Sequence, residues 1–242
     1  AFLRYINMKA KIVVPTSLSE ITLGQYQHFQ SVAKNFDEDK HNEFLKQKML
    51  EIFCNVELAK VLFIEKKAVE DISGRINQLF TGKYELKRTF ELSGVEFGFI
   101  PNLDKITQGE YIDLDTYFTD WRQMHKAMAV LFRPIVSRRK DHYELRDYEG
   151  TDEFAELMKF TPLDVALGAY VFFYHLGSEL LSSTLNFLKE EAKEVVSQWE
   201  RNSKVSGDGI IQSIDSLEAK YSTLIESPGN PFTSVLRFSP MK

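Results

Sequence analysis

Apolar residues in the first third of the chain recur every three or four positions, which is the spacing of an amphipathic helix. This pattern predicts helices over about 23–33, 43–53 and 68–80. It predicts a loop over 35–42, where polar and charged residues dominate. The apolar run 61–64 fits either a strand or a turn of helix.

From Tyr84 to Ile100 the period changes to two, because apolar and polar residues alternate on both sides of Ser93 and Gly94. Such alternation around a two-residue turn is typical of a β-hairpin. A weaker alternation over 135–147 predicts a second, small and exposed hairpin. The chain therefore combines helices with short antiparallel strands.

The helical period returns after the first hairpin. It predicts a helix from about Gln108, a further helix that ends before Pro134, and a short helix over 154–158. A long helix follows from Thr161 to about Trp199. Its first half is apolar on every side, which is typical of a helix at the centre of a core.

The second half of this long helix and the C-terminal tail form the least core-like part of the sequence. The helix keeps only a thin apolar stripe, and after the Gly-containing linker 206–209 an amphipathic helix is predicted over 211–225. The apolar residues that follow form either a docking arm or a terminus that folds back. The candidate partner contacts are Val195, Val196, Trp199, Phe232, Val235, Leu236 and Phe238.

One phrase occurs twice, as residues 21–26 (ITLGQY) and 106–111 (ITQGEY), each after a short apolar strand and a proline. In both copies a Thr precedes a Gln or Glu by three positions, which is the capping box of a helix start. Helix starts converge on this box, but the shared Gly, Tyr and upstream proline favour a duplication. The sequence therefore predicts an α+β, predominantly helical fold of two related helical halves, joined by a β-hairpin, with small strands at the start of each half.

The predicted halves are 8–82 and 83–202, and together they are expected to form one compact domain. Residues 203–242 are interpreted as a linker and C-terminal arm. Residues 1–7 precede the first methionine and are expected to be a leader or tag.

Charge and hydropathy argue against two classes of partner. The net charge is -5 and there is no long basic run, whereas nucleic-acid binding needs a basic stripe. The most apolar stretch, 165–176, is shorter than the roughly 20 residues that span a bilayer. Neither nucleic acid nor a membrane is therefore expected as a partner. The 19 Phe residues are interpreted mainly as packing between helices.

The residues best suited to chemistry are Asp113, Asp115, Asp120 and His125, since carboxylates and imidazole bind divalent metals. On a helix, however, positions 113 and 115 point to different sides. Their helix-start position is also favourable without any function. No nucleotide-binding loop or nucleophile motif is present, so no cofactor is expected.

Two further residues are predicted to be structural. The single cysteine, Cys54, lies in an apolar run and is expected to be a buried, inert thiol. His175 lies in the apolar half of the long helix and is expected to be a core histidine.

Five phrases of the chain resemble a set of small proteins encoded by tailed bacteriophages. They are VPTSLSEITLGQYQHF, KMLEIFCNV, GVEFGFIPNLDKITQGEYIDLDTYFTDW, HKAMAVLFRPI and PLDVALGAYVFFYHLG. The resemblance covers residues 11–188. It implies a role in phage morphogenesis, since some of these proteins are described as tail assembly chaperones, and it assigns no functional residues.

The sequence is therefore expected to encode a non-enzymatic virion-assembly protein of the host cytoplasm, with retention in the virion as an open alternative. It would act as a tail or baseplate assembly chaperone or a minor structural component. Its expected partner is a phage tail, baseplate or neck protein, and self-association is a further option. Two alternatives remain. One is an inhibitor of a host factor, and the other is a metal-dependent hydrolase that uses Asp113, Asp115, Asp120 and His125.

Overall fold

The computed structural model describes residues 12–36, 38–140 and 142–202. In these ranges the protein is α+β and mostly helical, as predicted, with four strands in one antiparallel sheet. The helices are α1 (Leu23–Ala33), α2 (Glu38–Phe53), α3 (Leu58–Val61), α4 (Lys66–Leu79), α5 (Gln108–Tyr117), α6 (Met124–Leu131), α7 (Ala155–Met158) and α8 (Leu163–Asn202). The strands are β1 (Thr89–Leu92), β2 (Val95–Phe99), β3 (Phe132–Arg139) and β4 (His142–Leu145).

The start of α2 differs from the sequence prediction. Helix α1 has the predicted bounds, but α2 begins at Glu38, inside the segment predicted as a loop. His41 interrupts the helix with a φ of −120°. The ring of Phe36 packs against His41 at 5.2 Å and against Phe44 at 4.7 Å. These contacts stabilise the extra turn, and the polar composition of the segment does not reveal them.

The strand predicted over 11–14, before α1, does not form in its described residues 12–14. Val13 is 70% exposed there, and no neighbouring strand pairs with this segment. A strand needs a neighbour to satisfy its backbone groups. The four-residue pattern of apolar side chains was therefore insufficient to specify one.

Both predicted capping boxes are confirmed. In α1, the Thr22 hydroxyl accepts from the Gln25 amide at 3.2 Å, and Gln25 Oε1 accepts from the Thr22 amide at 2.9 Å. In α5, Thr107 and Glu110 form the same pair of bonds at 3.2 and 2.6 Å. Each cap contributes about 1 kcal/mol. The duplication of the two halves remains a prediction, because helix starts form such boxes independently.

The interface among α1, α2 and α4 is filled with aromatic rings, as the Phe content indicated. Phe29 is completely buried, and its ring lies 5.2 Å from Phe53. Tyr26 packs on Phe80 at 5.8 Å and on Trp121 at 5.5 Å. Edge and tilted ring contacts of this kind add to the free energy of burying apolar area.

The sheet joins both predicted hairpins in the order β1-β2-β3-β4. The turn between β1 and β2 places Ser93 at φ 54° and Gly94 at φ 78°, the left-handed conformation that a two-residue hairpin requires. Helix α6 ends at Leu131, and the chain passes directly into β3, where Phe132 pairs with Phe99 of β2. The second hairpin therefore extends the sheet instead of standing alone.

The starts of α1 and α8 are tied together through backbone hydrogen bonds. The Leu23 amide donates to the Thr161 carbonyl at 2.9 Å, and the Leu163 amide donates to the Ile21 carbonyl at 2.8 Å. Gly24 donates to the Lys159 carbonyl at 2.7 Å. The first amides of a helix have no partner within it, so this junction satisfies donors that capping alone leaves open.

The chain divides into two compact units, and α8 contributes to both because the boundary follows Gly168. The described part of the second unit is α8 from Ala169 onward. None of the helices in the described ranges combines the length and hydrophobicity needed to cross a membrane.

Candidate functional site

A cleft of about 570 Å³ opens beside the sheet in the first unit. One wall comes from the end of β2 and the start of α5, and the other from β4 and the residues after it. The lining residues are Ile100, Pro101, Asn102, Lys105, Ile106, Thr107, Glu110, Arg133, Tyr143, Glu144, Leu145, Arg146, Asp147 and Tyr148.

A buried ion pair forms one wall of the cleft. Arg133 Nη2 lies 2.7 Å from Glu110 Oε1, and the two side chains are 12% and 4% exposed. The other oxygen of Glu110 accepts from the Thr107 amide in the capping box. One carboxylate thus caps α5 and neutralises an arginine of β3. Arg133 Nε is buried and has no hydrogen-bond partner among the described residues.

Tyr148 covers this pair. The Arg133 guanidinium lies over its ring at 5.6 Å, and its hydroxyl donates a short hydrogen bond to Asp113 Oδ2. Burial, followed by the bond to Asp113, raises the pKa of the Tyr148 phenol. The phenol therefore stays protonated near neutral pH and remains the donor in its hydrogen bond to Asp113.

The side chains that could meet a ligand in the cleft are those on its rim. Lys105, Glu144 and Asp147 are exposed, whereas Arg146 is held by Glu153 at 2.8 Å. The rim carries both signs of charge, which favours no particular small ion.

The four residues considered for a metal site lie in separate environments. Asp113 accepts from Tyr148, and Asp115 is exposed. Asp120 caps a 3-10 helix by accepting from the Arg122 amide at 3.0 Å, and it forms an ion pair with the Arg122 side chain at 2.8 Å. These bonds lower the Asp120 pKa to about 2.

His125 is buried in α6, and its Nδ1 lies 3.1 Å from Gln27 Nε2. Burial, helped by the charge of Lys159, lowers its pKa, so the imidazole is neutral near neutral pH. Within the described ranges no three His, Cys, Asp or Glu side chains form a group that could hold a metal. The convergence on which the hydrolase alternative depends is therefore not found among these residues.

Cys54 is buried as predicted, and burial raises the pKa of its thiol to about 11. The prediction for His175 was wrong, because this side chain is exposed on α8. A residue with hydrophobic neighbours in the sequence is still exposed when it lies on the solvent-facing side of the helix. Neither residue contributes to the cleft.

The candidate partner contacts fall largely outside the described part of the chain. Val195, Val196 and Trp199 belong to α8, but their side chains are not described. Phe232, Val235, Leu236 and Phe238 lie outside the described residues. Their role remains a prediction.

Sequence reasoning missed several apolar side chains that lie on the surface. Leu62 and Phe63, after α3, are 64% and 89% exposed, although they belong to an apolar run. The adjacent Val61 is 1% exposed and fixes the start of this segment in the core. Exposed apolar side chains also occur on α8, namely Leu176, Phe187 and Leu188. A local apolar run gives no signal that two of its members face solvent.

Comparisons of this chain with protein-family models, curated proteins and solved structures find no match.

Proposed function

We propose that this protein is a non-enzymatic bacteriophage assembly protein, either a chaperone of tail or baseplate assembly or a minor structural component. It acts in the host cytoplasm by contacting a tail, baseplate or neck protein. The resemblance of residues 11–188 to small phage proteins supports this role. That resemblance assigns no contact residues.

The observation that carries the proposal is the exposure of Leu62 and Phe63. Burying a Leu or Phe side chain fully is worth about 1.5–3 kcal/mol. Most of this free energy of burial is not gained at Leu62 and Phe63, because both side chains remain largely exposed. Val61, directly before them, is buried, so the pair follows a residue that packs in the core. Preorganised apolar side chains of this kind suit the central anchor of a protein interface.

The polar side chains are consistent with a contact role. Glu110 and Arg133 neutralise each other, and Asp113 and Asp120 are held by Tyr148 and Arg122. Their bonds stabilise local structure and leave the rim of the cleft with a mixture of charges. Such a rim resembles the polar margin of an interface.

The test is complementation of a phage that lacks the gene. The Leu62→Ser/Phe63→Ser double variant removes the apolar anchor, and Val136→Ser is a matched control because Val136 is 62% exposed in β3. Plaque titre, particle morphology by electron microscopy and copurification of tail, baseplate or neck proteins are measured for each variant.

We expect the double variant to copurify less of the structural protein and to yield fewer complete particles, whereas Val136→Ser behaves as wild type. Complete particles in the total absence of the protein would refute an assembly role. Intact particles combined with altered host range would instead favour the host-factor inhibitor. Wild-type behaviour of the double variant would show that Leu62 and Phe63 are not part of the interface.

A further inference from the structure

The outer edge of β4 is unpaired within the described part of the chain. β4 is the last strand in the order β1-β2-β3-β4, and its only strand neighbour among the described residues is β3. The far side of such a strand presents backbone N–H and C=O groups that can hydrogen-bond to a further strand. Which strand is added depends on the side chains along the edge.

Two independent observations determine which backbone groups of this edge point outward. Arg139 and His142 flank the two-residue turn between β3 and β4, and the pair that closes such a turn hydrogen-bonds within the hairpin. Farther along, the Arg146 amide donates to the Pro134 carbonyl at 2.9 Å, so it also points towards β3. Because successive residues of a strand alternate in direction, both observations give the same outward-pointing residues. They are Tyr143, Leu145 and Asp147.

The side chains along this edge are accessible. Glu144, Arg146 and Asp147 are exposed, and Tyr143 and Leu145 are half-buried. Residues 142–148 include no lysine or proline, which are the residues that commonly prevent edge strands from pairing. The edge is therefore compatible with the addition of a strand.

The opposite edge of the sheet, formed by β1, is bordered by α8. Just before β1, Lys87 Nζ lies 2.5 Å from Asp164 Oδ2 at the start of α8. The Glu85 carbonyl oxygen approaches the same helix so closely that a Cβ on Gly168 would lie 2.2 Å from it. Helix α8 therefore limits the approach of a strand to β1, and β4 offers the more accessible edge.

The β4 edge is complementary to itself. In a two-fold antiparallel pair, the same surface of both copies is used, and outward-pointing residues face one another. A two-fold axis at Leu145 places Glu144 opposite Arg146 of the second copy, and the symmetry repeats this pair. The same register places Tyr143 opposite Asp147 of the second copy. About six backbone hydrogen bonds then form, two in each facing pair of outward-pointing residues.

The neighbouring registers are less favourable. An axis at Glu144 or at Asp147 places two carboxylates opposite each other, and an axis at Arg146 does the same with two guanidinium groups. Like charges directly opposite each other destabilise a strand pair, whereas opposite charges stabilise it. An axis at Tyr143 places Leu145 opposite the β3–β4 turn of the second copy, where pairing ends. The charges thus favour the register centred on Leu145.

We infer that this protein forms a two-fold dimer through β4, with Leu145 at the axis and Glu144 paired with Arg146 of the second copy. The two four-stranded sheets then form one continuous sheet. The Arg146 side chain is already positioned at the edge, because Glu153 lies 2.8 Å from it and the Phe154 ring lies beneath it at 5.6 Å. This dimer does not depend on the proposed function.

Analytical ultracentrifugation of the purified full-length protein over a range of concentrations tests the dimer. Glu144→Arg and Arg146→Glu each place like charges opposite each other in both symmetry-related pairs. Glu91→Arg is the matched control, because Glu91 is an exposed acid of β1, on the other edge of the sheet. Glu153→Gln controls for the loss of the pair between Arg146 and Glu153. Circular dichroism verifies that each variant is folded.

We expect the wild-type protein and both controls to dimerise equally. Each of the two charge-reversal variants should dimerise about tenfold to a hundredfold more weakly, because two favourable cross-strand pairs become unfavourable. A wild-type protein that is monomeric at every concentration would overturn the dimer. A dimer that neither charge reversal weakens, or that Glu91→Arg weakens equally, would overturn the β4 interface.

An equimolar mixture of Glu144→Arg and Arg146→Glu tests the register. In a mixed dimer, positions 144 and 146 are both arginine in one copy and both glutamate in the other, so every facing pair again has opposite charges. We expect the mixture to recover most of the lost dimer, and the double variant Glu144→Arg/Arg146→Glu to recover it alone. Recovery in neither sample would overturn the register. These measurements use purified protein alone, so their failure is distinguishable from failure of the phage complementation test.

Discussion

The buried pair of Glu110 and Arg133 gives the sharpest prediction for the first unit. Glu110→Gln removes the negative charge but retains a capping side chain, as Gln25 demonstrates at the start of α1. Arg133 would then keep its charge in a site where its side chain is 12% exposed. An uncompensated buried charge is the main cause of the expected loss of stability.

Removing one partner of a fully buried pair costs about 3–5 kcal/mol. Arg133 retains some exposure and lies over the Tyr148 ring, so we expect the free energy of unfolding to fall by about 2–3 kcal/mol. The matched control is Glu153→Gln, which breaks the exposed pair with Arg146 and should cost about 0–1 kcal/mol.

Urea unfolding followed by far-ultraviolet circular dichroism measures both losses. Adding Arg133→Met to Glu110→Gln should recover part of the stability, because the uncompensated charge is then removed. If Glu110→Gln lowers the free energy of unfolding no more than Glu153→Gln does, the buried pair stabilises the fold no more than an exposed pair. If the losses in the single variants Glu110→Gln and Arg133→Met simply add up to the loss in the double variant, the two residues are not coupled.

Three further predictions concern local packing and ionisation. Gly98→Ala should lower stability by about 1–3 kcal/mol in a thermal melt, since its new Cβ would lie 2.6 Å from Tyr143 Cε2; a smaller loss in a Tyr143→Ala background would confirm the clash. Asp120→Ala should cost about 1 kcal/mol at neutral pH through the lost cap. Because the folded-state pKa of Asp120 is lowered from 3.8 to about 2, the ionic part of this contribution should be present above pH 4 and disappear as pH falls through 2, which urea titrations across that range would measure. Cys54, whose pKa is raised to about 11, should react with a thiol reagent at mildly alkaline pH only as fast as the protein opens, so that labelling accelerates in denaturant; rapid labelling of the native protein would contradict its burial.

The elements predicted best are those specified by neighbouring residues. The capping boxes at Thr22 and Thr107 need only four consecutive positions, and both form. The β1–β2 hairpin likewise depends on a local turn at Ser93 and Gly94 and on alternating side chains. Helical periodicity located α1 for the same reason, because the apolar stripe of a helix lies within its own sequence.

Other features depend on residues that are distant in the sequence. Glu110 and Arg133 meet only because β3 joins the sheet beside the start of α5, and periodicity contains no information about that pairing. The extra turn of α2 depends on the Phe36 ring. Leu62 and Phe63 are exposed because, of this apolar run, Val61 is the residue that packs into the core.

The sequence by itself thus determined the helix starts, the first hairpin and the predominantly helical class, since each depends on short-range hydrogen bonds and side-chain period. Tertiary structure alone decided which acid neutralises which base, where the cleft opens and which apolar residues remain outside. Those outcomes depend on which surfaces of the formed helices and strands pack together. Many different packing arrangements are compatible with the same local pattern of apolar and polar residues.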